Sequence, residues 1–257
     1  MPHAKIPSNV EPLAGRSIII GDVHGCADEL EQLLESVSST EQDSVYFVGD
    51  LVARGPKSTR VLALFRELGA AGVLGNHEAR LLEARAARRE GRAGPRLGPA
   101  HERLMTELGS ADWELLEQLP LTLDLPGHGI CIVHAGVVPG VPLTRQRRED
   151  LLKMRALKPD GSATSSWSAR SWAVDYTGPP HIVFGHNAVS GVQLHAAATG
   201  LDSGCVYGGS LTALVLAAGS PVPNVAERSR ALYSVASLAR YVDYGPRYAA
   251  PKTAGHP

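Results

Sequence analysis

Cysteine is scarce: Cys26, Cys131 and Cys205 are the only three among 257 residues. No CxxC pair occurs among them, which argues against a zinc knuckle, and an odd count without a secretory signal suits a reducing cytoplasm. Residues 1–16 lack the continuous apolar stretch of a signal peptide, and no run approaches the roughly 18 apolar residues that a membrane span needs. The expectation is a cytoplasmic protein with no membrane partner. Neither sign of charge dominates. The formal net charge is −1 and the pI about 6.8, so bulk charge argues for no nucleic-acid surface, and DNA is not an expected partner. What is present fits a soluble globular chain: 44% hydrophobic and 20% charged residues, with 27 glycines and 18 prolines that suit a fold rich in loops.

The first half alternates strand-like and helix-like segments. Arg16 to Ile20 reads as a buried strand, and Ala27 to Val37 as a helix with Leu30, Leu33, Leu34 and Val37 on one face. Ser44 to Val48 reads as a second strand, Ser58 to Leu68 as a second helix, and Gly72 to Leu74 as a short third strand. This β-α-β-α-β order implies a sheet that is at least partly parallel, with helices packed on it. After Asn76 the chain becomes helical and basic, with Arg80, Arg85, Arg88, Arg89, Arg92 and Arg96 close together. That run reads either as a solvated helix face or as a patch that draws in polyanions. Short helices are expected at 101–108 and 111–118. Strands are expected at Leu121 to Leu125, Ile130 to Val133, Ile182 to Phe184, Gly191 to His195 and Leu211 to Leu216. The organisation expected is an N-terminal extension over residues 1–15, one domain over 16–235 and a C-terminal tail over 236–257. Within the domain, 79–120 reads as a small helical insertion and 137–180 as a lid or connection.

The chemistry sits where strands end. Gly21-Asp22-Val23-His24-Gly25, Gly49-Asp50-Leu51-Val52-Ala53-Arg54-Gly55 and Gly75-Asn76-His77-Glu78 each close a strand, and His134 and His186 follow two more. Open α/β sheets bind ligands at the carboxyl ends of their strands. Asp22, His24, Asp50, Asn76, His134 and His186 offer two carboxylates, an amide and three imidazoles. This mixed set of oxygen and nitrogen donors suits Mn²⁺, Fe²⁺ or Zn²⁺ better than Ca²⁺. Two divalent metal ions need a bridging carboxylate, and Asp50 is the natural candidate. Such a pair, about 3.5–4 Å apart, holds a hydroxide and clamps a phosphoryl oxygen for in-line attack. Arg54 is placed to neutralise the charge that spreads over the oxygens, and His77 is the candidate general acid.

These motifs, with His134-Ala135-Gly136 and Gly185-His186, resemble in order the signatures of the phosphoprotein phosphatase family of metallophosphoesterases. The resemblance covers residues 17–216. It implies an α/β (α+β) fold, the calcineurin-like metallophosphoesterase β-sandwich flanked by helices. It also implies that Asp22, His24 and Asp50 hold one metal and that Asp50, Asn76, His134 and His186 hold the other. His77 would be the general acid, Arg54 would grip phosphate, and Arg155 fits the place of a second phosphate-gripping arginine.

One position separates branches of that family. Protein Ser/Thr phosphatases carry an aspartate just before the motif arginine, where it orients the acid histidine; this chain has Ala53. A weaker acid suits a better leaving group, so Ala53 favours a phosphoanhydride over a phosphoserine. The stretch from Gly49 to Pro56 resembles that of the bacterial symmetrical diadenosine tetraphosphate hydrolases, as does Leu201 to Thr212. Two departures are Glu78, where those hydrolases commonly carry Asp, and a shorter segment between His134 and His186 than in enterobacterial members. The implied activity is symmetrical cleavage of diadenosine tetraphosphate and related dinucleoside polyphosphates to nucleoside diphosphates, with Mn²⁺ preferred and Co²⁺, Fe²⁺, Zn²⁺ or Mg²⁺ as alternatives. Arg80, Asp202 and Tyr207 are the expected substrate contacts. Trp167, Trp172, Tyr176 and Tyr207 could stack on a base, although packing is the stronger expectation. Competing readings are a broad phosphomonoesterase or protein phosphatase, a polyphosphatase or a hydrolase of nucleotide-capped RNA, and an inactive nucleotide sensor.

Overall fold

The computed structural model describes residues 15–167, 170–188 and 191–243. The expected N-terminal extension, apart from Gly15, and residues 244–257 of the expected tail lie outside that range. In chain order the elements are β1 (Ser17–Ile20), α1 (Ala27–Ser36), β2 (Ser44–Phe47), α2 (Ser58–Glu67), β3 (Ala71–Gly72), α3 (Asn76–Arg89), α4 (Pro99–Glu107), α5 (Ser110–Gln118), β4 (Thr122–Leu125), β5 (Ile130–Val133), α6 (Arg148–Lys153), β6 (Ala156–Leu157), β7 (Ala163–Thr164), β8 (Arg170–Ser171), α7 (Trp172–Asp175), β9 (His181–Phe184), β10 (Gln193–Leu194), β11 (Ala198–Gly200), β12 (Ser210–Leu216) and β13 (Leu232–Ala236).

Two five-stranded sheets face each other. One runs β13-β12-β1-β2-β3 and the other β10-β11-β9-β5-β4. The pairs β1–β2, β2–β3, β5–β9 and β9–β11 are parallel, so the motif-bearing strands of each sheet end on the same side. A third, three-stranded sheet, β7-β6-β8, lies within the stretch 137–180.

Strand alternation builds the layers. Ile19, Tyr46 and Val48 point inward and meet Leu123, Ile130, Ile132 and Val183 of the facing sheet. Ile18, Ile20, Val45 and Phe47 point outward and pack on Leu30 and Leu33 of α1 and on Val61, Leu62 and Phe65 of α2. On the other side, Cys131, Val133, Ile182 and Phe184 pack on Leu151, Met154 and Trp172. The continuous apolar runs of β1 and β5 follow from this, because each is covered on both faces. All three cysteines are buried and unpaired.

The expected third strand is displaced. Ala71 and Gly72 pair with β2 and the Val73 amide still donates to the Phe47 carbonyl at 3.1 Å, while the Leu74 amide is drawn off to the Pro120 carbonyl at 2.7 Å. Five strands had no counterpart in the sequence reading: the short β6, β7 and β8 within 137–180, and β11 and β13. β13 pairs along most of β12, and just beyond it Glu29 accepts from the Leu238 amide and the Tyr241 hydroxyl at 3.0 and 2.9 Å. Among the described residues no helix is long and apolar enough to cross a membrane.

Candidate metal centre and phosphate cleft

Backbone bonds lock the motifs together before any side chain acts. The Asp50 carbonyl accepts from the Val23 and His24 amides at 3.2 and 2.8 Å, and the Gly185 amide donates to the His134 carbonyl at 2.8 Å. Glycine is demanded at two of these turns. Gly49 has φ 98°, and a Cβ there would lie 2.9 Å from His134 Nδ1; a Cβ at Gly185 would collide with Asp22 Oδ1. Among the described residues, His24, Asp50, Ala53, Arg54 and His186 hold positive φ between 49° and 70°, a conformation that costs energy in non-glycine residues. The strain is concentrated where function is expected.

Two triads of donor atoms result, His24–Asp50–His77 and Asp50–His134–His186, each with its atoms within 4.8 Å of one another and all of its residues buried. Asp50 belongs to both. Its Oδ2 lies 3.6 Å from His24 Nε2 and 3.4 Å from His134 Nε2, and its Oδ1 accepts from the His77 amide at 3.0 Å. Asn76 Oδ1 is 3.1 Å from His134 Nε2. Asp22 stands outside both triads, with both carboxylate oxygens on the His186 amide at 3.1 and 3.0 Å.

The donor chemistry fits cations. His134 Nδ1 lies 2.9 Å from the Val48 carbonyl and His24 Nδ1 3.4 Å from the Val52 carbonyl, contacts that place the proton on Nδ1 and leave Nε2 as a lone pair. Three acceptors, His134 Nε2, Asn76 Oδ1 and Asp50 Oδ2, then converge, and only a cation or an added proton reconciles them. His186 Nε2 is buried and has no hydrogen-bond partner, as expected of a ligand nitrogen.

Electrostatics follow the same pattern. Burial opposes ionisation of Asp50, but His134, His77 and His24 outweigh it and hold the carboxyl well below the usual range. Burial, then Asp202 and Asp50, push Asp22 well above it. Burial lowers His24 to about 3 and holds His77 and His186 well below the ordinary imidazole value. His134 is raised, because Asp50 overcomes the burial penalty. For His24 and His186 beside the charged Asp50, a neutral imidazole is the protonation state in which such a set binds metal.

A cleft of about 750 Å³ opens beside the triads, lined by Arg54, Asn76, Arg80, Arg155 and His186 among others. The Arg54 guanidinium lies 5.2 Å from the ring centre of the buried Tyr207. Arg155 lies 4.6 Å from the Trp167 ring and donates to the His186 carbonyl at 3.5 Å. Asp202 is buried, accepts from the Gly204 amide at 3.1 Å and is pushed by burial to about 6. Trp172 is fully buried in the packing against Phe184. In the arginine run, Arg85 pairs with Glu117, Arg88 with Glu102 and Arg92 with Glu90, while Arg80 faces the cleft.

The sequence reading missed two residues. Glu78 is fully buried, and its carboxylate accepts from the amides of Asp50, Gly75 and Val52, each at 3.0 Å. Burial and Asp50 push it up to about 7. The available signal was its place in the first turn of α3, where an acidic side chain can reach back to orphan amides. The second is His101 of α4, whose Nε2 lies 3.1 Å from His77 Nδ1; no sequence signal marked it.

Comparison with known proteins gives the family. Residues 15–217 match the family model described as calcineurin-like phosphoesterase. The chain is 40% identical over 152 residues to a symmetrical bis(5'-nucleosyl)-tetraphosphatase of Shewanella sediminis, covering 57% of this chain and 53% of the relative. It is 35% identical over 195 residues to the protein of the same name in Shewanella baltica, covering 72% and 70%. The matched part thus spans about half the length of several of these curated relatives. A crystal structure of a protein assigned only provisionally as a diadenosine tetraphosphatase superposes with a TM-score of 0.75 at 35% identity, covering 89% of this chain and 96% of that one. With the family model matched along most of its length and the motifs gathered at the ends of its parallel strands, the chain belongs to the calcineurin-like phosphoesterase family.

Proposed function

We propose that this chain hydrolyses dinucleoside polyphosphates, diadenosine tetraphosphate foremost, and cuts them symmetrically into nucleoside diphosphates. The cleft carries the proposal. Arg54, Arg80, Arg148, Lys153 and Arg155 line it against only two carboxylates, Glu83 and Glu149. That is more positive charge than one phosphoryl group needs, and it matches a chain of phosphates. The names of the Shewanella relatives support the same substrate class.

Asp22, His24 and Asp50 would hold one cation, and Asp50, Asn76, His134 and His186 a second. Two divalent ions there, with Mn²⁺ preferred, would supply a nucleophile from water at neutral pH and neutralise phosphoryl oxygens. Arg54 and Arg155 grip the non-bridging oxygens. His77 delivers a proton to the departing phosphate. Ala53, buried with its amide on Ser58 Oγ at 3.1 Å, brings no carboxylate to His77. The site therefore suits a leaving group that needs little protonation, such as a nucleoside diphosphate. The three unpaired cysteines fit a reducing compartment, the cytoplasm.

The test is the ratio of kcat/KM for diadenosine tetraphosphate to that for a phosphoserine peptide, on protein stripped of metal and reloaded with Mn²⁺. A preference for the dinucleotide of about a hundredfold or more, some 3 kcal/mol of transition-state discrimination, is expected. Faster turnover of the peptide would replace the proposal with a protein phosphatase.

A further inference from the structure

We infer that His101 is the positioning residue for His77, standing in for the carboxylate that Ala53 removes. The inference rests on the reading of His77 as the general acid. Its basis is geometric. His101 Nε2 lies 3.1 Å from His77 Nδ1, the two ring planes are within 16° of each other, and both rings are buried. Two stiff side chains held this way leave His77 little rotational freedom. The contact bridges two elements: His77 is in the first turn of α3, and His101 is in the first turn of α4, within the helical insertion.

The chemistry of the pair follows from which nitrogen carries the proton. With His101 neutral, its Nε2 accepts the Nδ1–H of His77. That fixes the tautomer and assigns Nε2 of His77 to proton transfer with the substrate. Burial and the nearby Arg80 both disfavour a charged His101, so it stays in the accepting form. An aspartate in this role would orient His77 and also stabilise its cation. A neutral imidazole orients without that electrostatic help. This division of labour matches a substrate whose leaving group is already weakly basic. It also explains how the chain tolerates Ala53, since the orientation is recovered from another element.

The test compares leaving groups. Phenyl phosphate departs as a basic phenolate and needs the proton; p-nitrophenyl phosphate departs as a weak base and does not. His101→Ala should lower kcat on phenyl phosphate by about tenfold, a fraction of what general acid catalysis supplies, and on p-nitrophenyl phosphate by less than about threefold. His101→Gln should restore most of the loss, because its amide oxygen can accept the same bond. Equal losses on the two substrates, or a glutamine variant no better than alanine, would overturn the inference and leave His101 a packing residue. A His77→Ala control separates the two levels. If it shows no leaving-group dependence while the wild type turns over both esters, the acid assignment fails, and the role of His101 falls with it.

Discussion

Asp50→Asn is expected to lower turnover by about a thousandfold with the fold intact. The magnitude follows from what the residue does. Asp50 is the one residue common to both donor triads, and its charge is the one that the surrounding imidazoles hold in place. Metal ions contribute several kcal/mol of transition-state stabilisation, which corresponds to about three powers of ten in rate. Asparagine has the same shape and can still accept the His77 amide, so the loop should survive. What it lacks is the negative charge that two cations need between them. Metal analysis after Mn²⁺ loading and dialysis should show fewer ions bound per chain than in the wild type, and circular dichroism should be unchanged. Full metal content with full activity would remove Asp50 from the centre.

Glu78→Ala is expected to have the largest effect on stability. The carboxylate accepts three buried amides, those of Asp50, Val52 and Gly75, and alanine would orphan all three. Each unsatisfied buried donor costs about 1–3 kcal/mol, so the sum approaches the whole stability of an ordinary domain. Activity should fall with it, because the same amides set the φ of the Asp50 loop. Glu78→Asp, one methylene shorter, should lie between wild type and alanine in a urea melt. This ordering tests the structural role directly. An alanine variant that melts within about 1 kcal/mol of wild type would mean that water or a shifted backbone satisfies those amides.

Much of this site was legible because it is local. A strand that ends in Gly-Asp or Gly-Asn-His declares its chemistry within five residues, and apolar runs such as Ile18-Ile19-Ile20 mark the strand itself. What stayed hidden was non-local. Ala198-Thr199-Gly200 sets a single strand-favouring residue between two small ones that disfavour strands, too short a signal to read, and it becomes β11 because β9 lies beside it. The strands within 137–180 are two residues each, too short to show a period. His101 is 24 residues from His77 in sequence, and only the packing of α4 against α3 brings them together. Glu78 was visible as a residue, but its inward turn depends on three amides from two loops. Asp22 is a further lesson. The strand-end pattern placed it correctly in the loop, yet its oxygens are engaged by the His186 amide, a contact across 164 residues of chain.

The arginines divide in the same way. The run after Asn76 read either as a solvated helix face or as a polyanion patch; Arg85, Arg88 and Arg92 are occupied by carboxylates, and Arg80 is the member of the run that the fold turns into the cleft. Exposed pairs of this kind contribute little to stability. Their consequence is electrostatic, since they leave the positive field concentrated on the cleft.

The position at which the tetraphosphate is cut is the most direct test of the proposed function. Mn²⁺-loaded protein incubated with diadenosine tetraphosphate, with products separated by anion-exchange chromatography at early times, should give ADP alone. AMP and ATP in equal amounts would contradict symmetrical cleavage and would mean that the cleft holds the phosphate chain in a different register.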